Sequence, residues 1–429
     1  MNTARVVRSS RQLPRARRLL PALGWLSLSL CAGGLQAQQS SPDSRPGSEL
    51  SVYLMTMGPG DEVWERFGHN AIGIRDAASG TDVVYNWGLF SFDEPGFIVR
   101  FLRGRMRYWM GGFDAEATVA EYVARNRTVT IQELDLSPAQ RLALRDFLRW
   151  NSLAENRYYD YHYFRDNCST RVRDALDRIL GGALRQASES VSTGRSYRFH
   201  ALRLMAPDLP VAVGIDLGLG RPADRPISAW EEMFIPMALM ARLRSIRVPD
   251  DSGRLVPLVT SERVVFTAQR PPERDGPPPL IALGLATGVA GGSLGWLLWR
   301  RARRGSAAAR VAVRSLIALW GFLAGAVGVL LVVLRTLTEH EFAYRNENIF
   351  FYNPLWLALV LSMFVPGGSA WRQRARDAVA RGIVWLTAVG LLLQLVPYLR
   401  QDSLGVMLLA APLNIVLANV VRQASNSGD

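Results

Sequence analysis

Gln269-Arg-Pro-Pro-Glu-Arg-Asp-Gly-Pro-Pro-Pro279-Leu-Ile-Ala-Leu-Gly-Leu285 is the point at which this chain changes character. Pro271, Pro272, Pro277, Pro278 and Pro279 stiffen the segment and remove backbone donors, so it reads as a linker. Before it, charges, aromatics and turn residues are interleaved. After it come long apolar runs separated by short arginine-bearing loops. A chain of 429 residues exceeds one typical core. The shift at residue 280 therefore reads as a soluble part followed by a membrane part.

Downstream, apolar segments lie near residues 280–299, 315–335, 354–370, 383–398 and 403–421. Spanning a bilayer takes about 20 residues of helix, so residues 280–422 are expected to form an all-α bundle of about five transmembrane helices. Arginines cluster at residues 300–314, 372–381 and 422. By the positive-inside rule these mark the cytoplasmic side. The loop from Thr336 to Asn353, with His340, then faces the side of the soluble domain.

Upstream, Arg5, Arg8, Arg11, Arg15, Arg17 and Arg18 precede an apolar stretch from Leu19 to Leu35, and Leu35-Gln-Ala37 stands before polar Gln38. This pattern predicts a cleaved secretory signal over residues 1–37, hence a periplasmic domain and an inner-membrane, multi-pass protein. Cys31 follows Leu30, where a lipid-modified cysteine needs a small neighbour. Residues 38–49 read as a flexible tether, 50–265 as the soluble domain and 266–279 as the linker. The net charge of +13 resides largely in these topology signals, so nucleic acid is not an expected partner. Nothing in the sequence sets the oligomeric state.

Within the soluble domain, Leu50 to Met57, Ala71 to Arg75 and Val83 to Trp87 read as strands. Ser137-Pro138 opens a helix with an apolar face, and a second helix begins near Cys168. Its apolar positions Val172, Ala175, Leu176, Ile179 and Leu180 recur at helical spacing before Gly181-Gly182. The class is mixed α+β.

Two stretches could carry chemistry: Glu65-Arg-Phe-Gly-His69-Asn-Ala-Ile and Asp166-Asn-Cys168-Ser-Thr-Arg-Val-Arg-Asp174. With the signal removed, Cys168 is the one cysteine left, in a compartment where disulfides persist. At a helix start its thiolate would be favoured by unpaired N–H groups, which could also hold an oxyanion. His69 could act as base, and Asn86 on the next strand could orient the imidazole. Each residue also has a plain structural reading. Cys168 lies one turn before Val172, as a buried thiol would; Tyr85 could replace Asn86; and His162 is a rival base in an aromatic run. Trp109, Phe113 and Tyr108 read as core. Four scattered histidines and one cysteine give no zinc spacing, and no metal or cofactor is expected.

Phe67-Gly-His69-Asn-Ala-Ile, Val84-Tyr-Asn-Trp-Gly88 and Asp166-Asn-Cys168-Ser-Thr-Arg-Val-Arg-Asp174 resemble a bacterial membrane-protein family. Its N-terminal periplasmic domain is of the Lnb lipoprotein N-acyltransferase type. The loop from His340 to Pro354, with Asn346 and Asn348, extends the likeness. More distantly, the order of histidine, polar residue and Asn-Cys is similar to permuted papain-like and NlpC-like enzymes. The resemblance implies a permuted papain-like periplasmic domain in which Cys168 and His69 move an acyl chain from a lipid or lipoprotein to the N-terminal amine of a lipoprotein. Membrane lipids and lipoproteins are thus the expected partners. A papain-like envelope hydrolase and a non-catalytic envelope binding module are the alternatives.

Overall fold

The computed structural model describes residues 45–250, 252–364 and 369–426. The signal-peptide reading and most of the tether lie outside the described residues. Arg45 to Glu49 form a turn against the helix Pro138–Asn151. Gly47 there has φ +94°, and a Cβ on it would stand 2.2 Å from the Pro138 carbonyl oxygen.

The soluble part is built on a seven-stranded sheet. Six strands are numbered in chain order: β1 (Leu50–Met57), β2 (His69–Asp76), β3 (Thr81–Leu89), β4 (Met106–Asp114), β5 (Val129–Leu134) and β6 (Tyr158–Tyr161). The late strand Val259–Phe266 adds to the edge of β5, giving the order Val259–Phe266, β5, β1, β2, β3, β4, β6, with every neighbouring pair antiparallel. The three predicted strands fall within β1, β2 and β3. Alternation sends Ile72, Ile74, Tyr85 and Trp87 to one face. There they pack on Val172, Ala175 and Leu176 of the helix Cys168–Ile179 and on Leu144 and Leu148 of Pro138–Asn151. The opposite face carries Met55, Met57, Ala71 and Val84 against the helix Ala115–Ala124.

Both sequence-predicted helices start at built caps. Ser137 and Gln140 form a capping box before Pro138. Asn167 accepts from the N–H groups of Ser169 and Thr170, while Thr170 Oγ1 accepts from the Asn167 N–H. The cap pins the first residue of the second helix, Cys168, at a fixed height above the sheet. Asn167 Nδ2 also donates to the carbonyls of Tyr163 and Phe234, so the cap is itself anchored from two sides.

The C-terminal part is helical: Leu280–Arg303, Ala307–Leu337, Leu355–Met363, Ala370–Leu393 and Leu404–Asn426. Among the described residues, three segments are long and apolar enough to cross a membrane: Leu280–Arg303, Ala307–Leu337 and Leu404–Ala424. The other two expected spans are altered. Leu355–Met363, with nine residues, extends only about 14 Å against the ~30 Å of a hydrocarbon core. Ala370–Leu393 begins and ends well before the predicted 383–398, because the Arg372 to Arg381 stretch continues the helix instead of breaking it. Glycines let the first and last of these helices approach closely. A Cβ on Gly284 would meet the Gly405 carbonyl oxygen at 1.9 Å.

The soluble domain and the bundle meet through the loop the sequence singled out. Asn346 Nδ2 donates to the carbonyls of Leu217 and Gly218, and Asn348 Nδ2 to those of Asp216 and Leu217, all at the end of the helix Leu209–Gly218. Gln401 Nε2 donates to Leu219 O, Asn346 Oδ1 and Ser403 Oγ. Behind them, fully buried Arg198 spends its donors on Asp216, Asp224 and the carbonyls of Leu219 and Gly220.

Candidate active site

His69 is the first residue of β2, and Asn86 sits on β3 directly opposite Ala71. Two residues from Ala71 on the same face, His69 is the diagonal neighbour that a polar side chain on Asn86 can reach. The contact is made: His69 Nε2 and Asn86 Oδ1 are 3.0 Å apart. Asn86 Nδ2 donates to Val84 O at 3.2 Å, which turns the amide oxygen toward the ring. An amide oxygen only accepts, so the imidazole proton lies on Nε2 and the lone pair on Nδ1. Tyr122 lies parallel to the imidazole with ring centroids 6.3 Å apart. Tyr85 alternates to the other face and joins the core beside Trp87.

Cys168 reaches the same end of the sheet from the opposite face. It is half-buried, whereas Val172 one turn later is fully buried, so the thiol stands at the rim of the apolar stripe. The backbone N–H groups of Asn70, Ser169 and Cys168 itself all act on the sulfur. Asn70 directly follows His69, and its side chain donates to Ser169 Oγ at 3.1 Å, lashing β2 to the first turn of the cysteine helix. Gly88, at the bulge where the β3–β4 register shifts, has φ +91° and faces the Cys168 Cβ; a side chain there would be strained by that backbone conformation.

The electrostatics depart from the sequence expectation of a ready thiolate. Burial pushes the Cys168 thiol up to about 11, outweighing the three N–H groups and the Arg127 charge, which pull it down. Burial, with Arg127 acting in the same direction, pushes His69 down to about 4 against the hydrogen bond to Asn86. The resting site therefore holds a neutral thiol and a neutral imidazole.

Several contributors carry no sequence motif. Arg127 is buried, donates to Gly58 O, pairs with Glu65 at 3.2 Å and lies over the Tyr122 ring. Its Nη2 has no protein partner, nor do Asn70 Oδ1 and the Tyr159 hydroxyl. That hydroxyl lies 4.0 Å from where a Gly88 Cβ would be, next to Cys168. The rival base is occupied elsewhere: His162 Nδ1 accepts from the N–H groups of Phe164 and Arg165, and Nε2 faces Glu341 at 3.1 Å. Of the aromatic stripe read as core, Tyr108 is buried but Phe113 is 47% exposed, because it sits where β4 gives way to solvent. A cleft of about 440 Å³ lined by Arg165, Arg173, Arg185 and Trp230 lies away from the cysteine and histidine. Among the described residues no three His, Cys, Asp or Glu side chains converge as a metal site would require.

The stretch containing this arrangement matches a known family model. Residues 38–206 match the model of the Lnb N-terminal periplasmic domain. The Lnb-type match takes in His69, Asn86 and Cys168 and ends before the helical C-terminal part begins. No curated protein matches the chain, and no solved structure does.

Proposed function

We propose that this is a membrane-anchored acyltransferase that moves an acyl chain from a lipid or lipoprotein to the N-terminal amine of a bacterial lipoprotein through a thioester on Cys168. The observation that carries the reading is the joint placement of an oriented imidazole and a helix-start thiol. Asn86 holds His69 in one tautomer, and the next residue along, Asn70, gives its N–H to the Cys168 sulfur. The reading takes the chain order, histidine first and cysteine later, as that of a permuted papain-like enzyme on an inner-membrane, multi-pass anchor.

In the first step the Cys168 sulfur attacks the ester carbonyl while His69 Nδ1 takes the thiol proton. Both groups rest neutral, so attack and proton transfer proceed together. The N–H groups of Ser169 and Asn70, with the Tyr159 hydroxyl, are the nearby donors for the carbonyl oxygen as it gains charge. The ester C–O bond breaks, the leaving alkoxide takes the proton from His69, and the acyl group stays on sulfur. In the second step the lipoprotein's α-amine attacks the thioester, the C–S bond breaks, and the amine proton returns to the thiolate by way of His69. An α-amino group has a pKa near ~8, so a usable fraction is nucleophilic at neutral pH. The membrane anchor raises the encounter rate with lipid-borne donor and acceptor.

The test is the intact mass of a reporter lipoprotein co-expressed with the wild type, Cys168→Ser or His69→Ala in cells lacking other N-acylation activity. An added acyl chain lost in both variants supports the reading. No added chain with the wild type overturns it, and release of free fatty acid or peptide fragments instead would assign the pair to hydrolysis.

A further inference from the structure

The sequence Phe90-Ser-Phe92-Asp-Glu-Pro-Gly-Phe97-Ile-Val-Arg-Phe-Leu-Arg103 plays no part in the chemistry above, yet it exposes more apolar surface than its setting in the soluble domain explains. The short helix Phe97–Arg103 buries only Phe97. Ile98, Val99, Phe101 and Leu102 stand 44–60% exposed, and Trp64 and Phe92 beside them 54% and 56%. Ring contacts join them into one patch: Trp64 with Phe92 at 5.7 Å, Phe92 with Phe97 at 5.3 Å and Phe97 with Phe101 at 6.2 Å. A contiguous patch of this kind calls for an apolar partner.

Its position identifies the partner. The membrane-capable helix Ala307–Leu337 ends two residues before Glu339, whose N–H donates to Arg103 O at 2.8 Å. Arg105 holds the Glu339 carboxylate with two bonds, and His340 Nε2 lies 3.0 Å from Phe101 O. Gly104 comes so near that a Cβ on it would be 3.0 Å from the Glu339 and His340 backbone. The patch is thus fastened at the height where a spanning helix leaves the hydrocarbon, with Arg100 and Arg103 in its last turn. Apolar side chains at this level with arginines beside them suit the boundary between lipid tails and headgroups. A wall of stacked rings runs inward from it: Phe97 on Phe90 at 5.7 Å, Phe90 on Tyr108 at 5.0 Å, and Tyr108 on Tyr161 at 4.2 Å, in the neighbourhood of Cys168.

We infer that the Phe97–Arg103 helix, with Trp64 and Phe92, is a foot that dips into the phospholipid leaflet on the domain's side, and that the Phe90–Tyr108–Tyr161 wall guides an acyl chain from that leaflet toward Cys168. The guiding role rests on the acyl-transfer reading; the membrane contact does not.

The experiment uses the full chain with Cys31→Ser and Cys168→Ser, adding Ile98→Cys, Leu102→Cys or, as control, Ala78→Cys in the distant β2–β3 turn. Each is labelled with an environment-sensitive fluorophore in nanodiscs of phosphatidylcholine and phosphatidylglycerol, with or without doxyl-labelled lipid. Labels at 98 and 102 should be quenched at least about twofold while the label at 78 is unaffected. Equal, negligible quenching at all three sites would overturn the membrane contact and point to a protein cover. Ile98→Asp with Leu102→Asp should then cut reporter acylation about tenfold, with iodoacetamide alkylation of Cys168 unchanged. Quenching without that loss overturns the guiding role alone. Absence of acylation by the wild type defeats the proposed function and leaves the quenching result standing.

Discussion

Two of the buried polar clusters in the described structure treat hydrogen bonds in different ways. At the joint between soluble domain and bundle, Arg198 distributes its donors over Asp216, Asp224, Leu219 O and Gly220 O, and Asn346, Asn348, Gln401 and Ser403 complete one another. At the cysteine site Arg127 Nη2, Asn70 Oδ1 and the Tyr159 hydroxyl are buried without a protein partner. An unmade buried hydrogen bond costs about 1–3 kcal/mol, so a fold keeps several together only where something else completes them. The joint is built to hold still; the cysteine site is built to receive.

The comparison breaks most sharply at Cys168. Cys168→Ser should lower acyl transfer by at least about 10³-fold, because a hydroxyl is a far poorer nucleophile beside a neutral imidazole. It should move unfolding stability by less than about 1 kcal/mol, since the thiol lies at the rim of the core. Reporter mass and a thermal melt read the two quantities separately. A large stability loss with chemistry intact would make Cys168 a packing residue and reverse the contrast.

What the sequence disclosed and withheld divides along the same line. Periodicity and caps are local, and so Leu50–Met57, the Ser137-Pro138 helix start and the Cys168 helix were legible. Asn86 was reachable because a diagonal neighbour follows from strand register, although alternation alone left Tyr85 as an equal choice. Arg127, Tyr122 and Tyr159 were not legible, because they come from three separate elements and only the folded sheet brings them to the cysteine. The thiolate expectation failed for a related reason: a helix start is visible in sequence, but the burial that outweighs it is a property of the assembled core. In the membrane part hydropathy located the helices, yet the short Leu355–Met363 and the arginine-rich start of Ala370–Leu393 show that apolar runs and helix ends need not coincide.

The next largest effect belongs to the joint. Arg198→Ala would leave Asp216 and Asp224 buried without their cation, a loss of about 3–5 kcal/mol. Denaturant melts of the detergent-solubilised protein should show it, and alkylation of Cys168 under native conditions should hardly change. If the variant kept its stability, the joint would not be the rigid member of the pair.

Asn86→Ala probes orientation within the site. With the acceptor gone, His69 is free to turn and to place its proton on either nitrogen, so turnover should fall about 10–100-fold. Because Asn86 acts through His69, the pH profile of the acylation rate should change shape, whereas a purely structural role would lower it uniformly. Asn86→Asp, which keeps an acceptor at the same place, should recover part of the rate.

The most gradual effect is the dependence on pH. His69 is held near 4 in the folded protein and returns to about 6.5 when unfolded, so the unfolded chain binds the extra proton between those values. Its stabilising contribution is full above about pH 6.5 and is lost as pH falls toward 4, by about 3 kcal/mol in all. Cys168 behaves in the mirror sense: raised to about 11, it contributes fully below about pH 8.5 and loses that contribution as pH rises through 11. Between these limits both groups are neutral. Iodoacetamide alkylation of Cys168 should therefore climb about tenfold per pH unit from 7 to 9, without a plateau. His69→Gln should flatten the acid limb of the stability curve and leave the alkaline limb in place. A plateau in alkylation beginning below pH 7 would instead mean a preformed thiolate–imidazolium pair, in which the N–H groups of Asn70 and Ser169 had prevailed over burial.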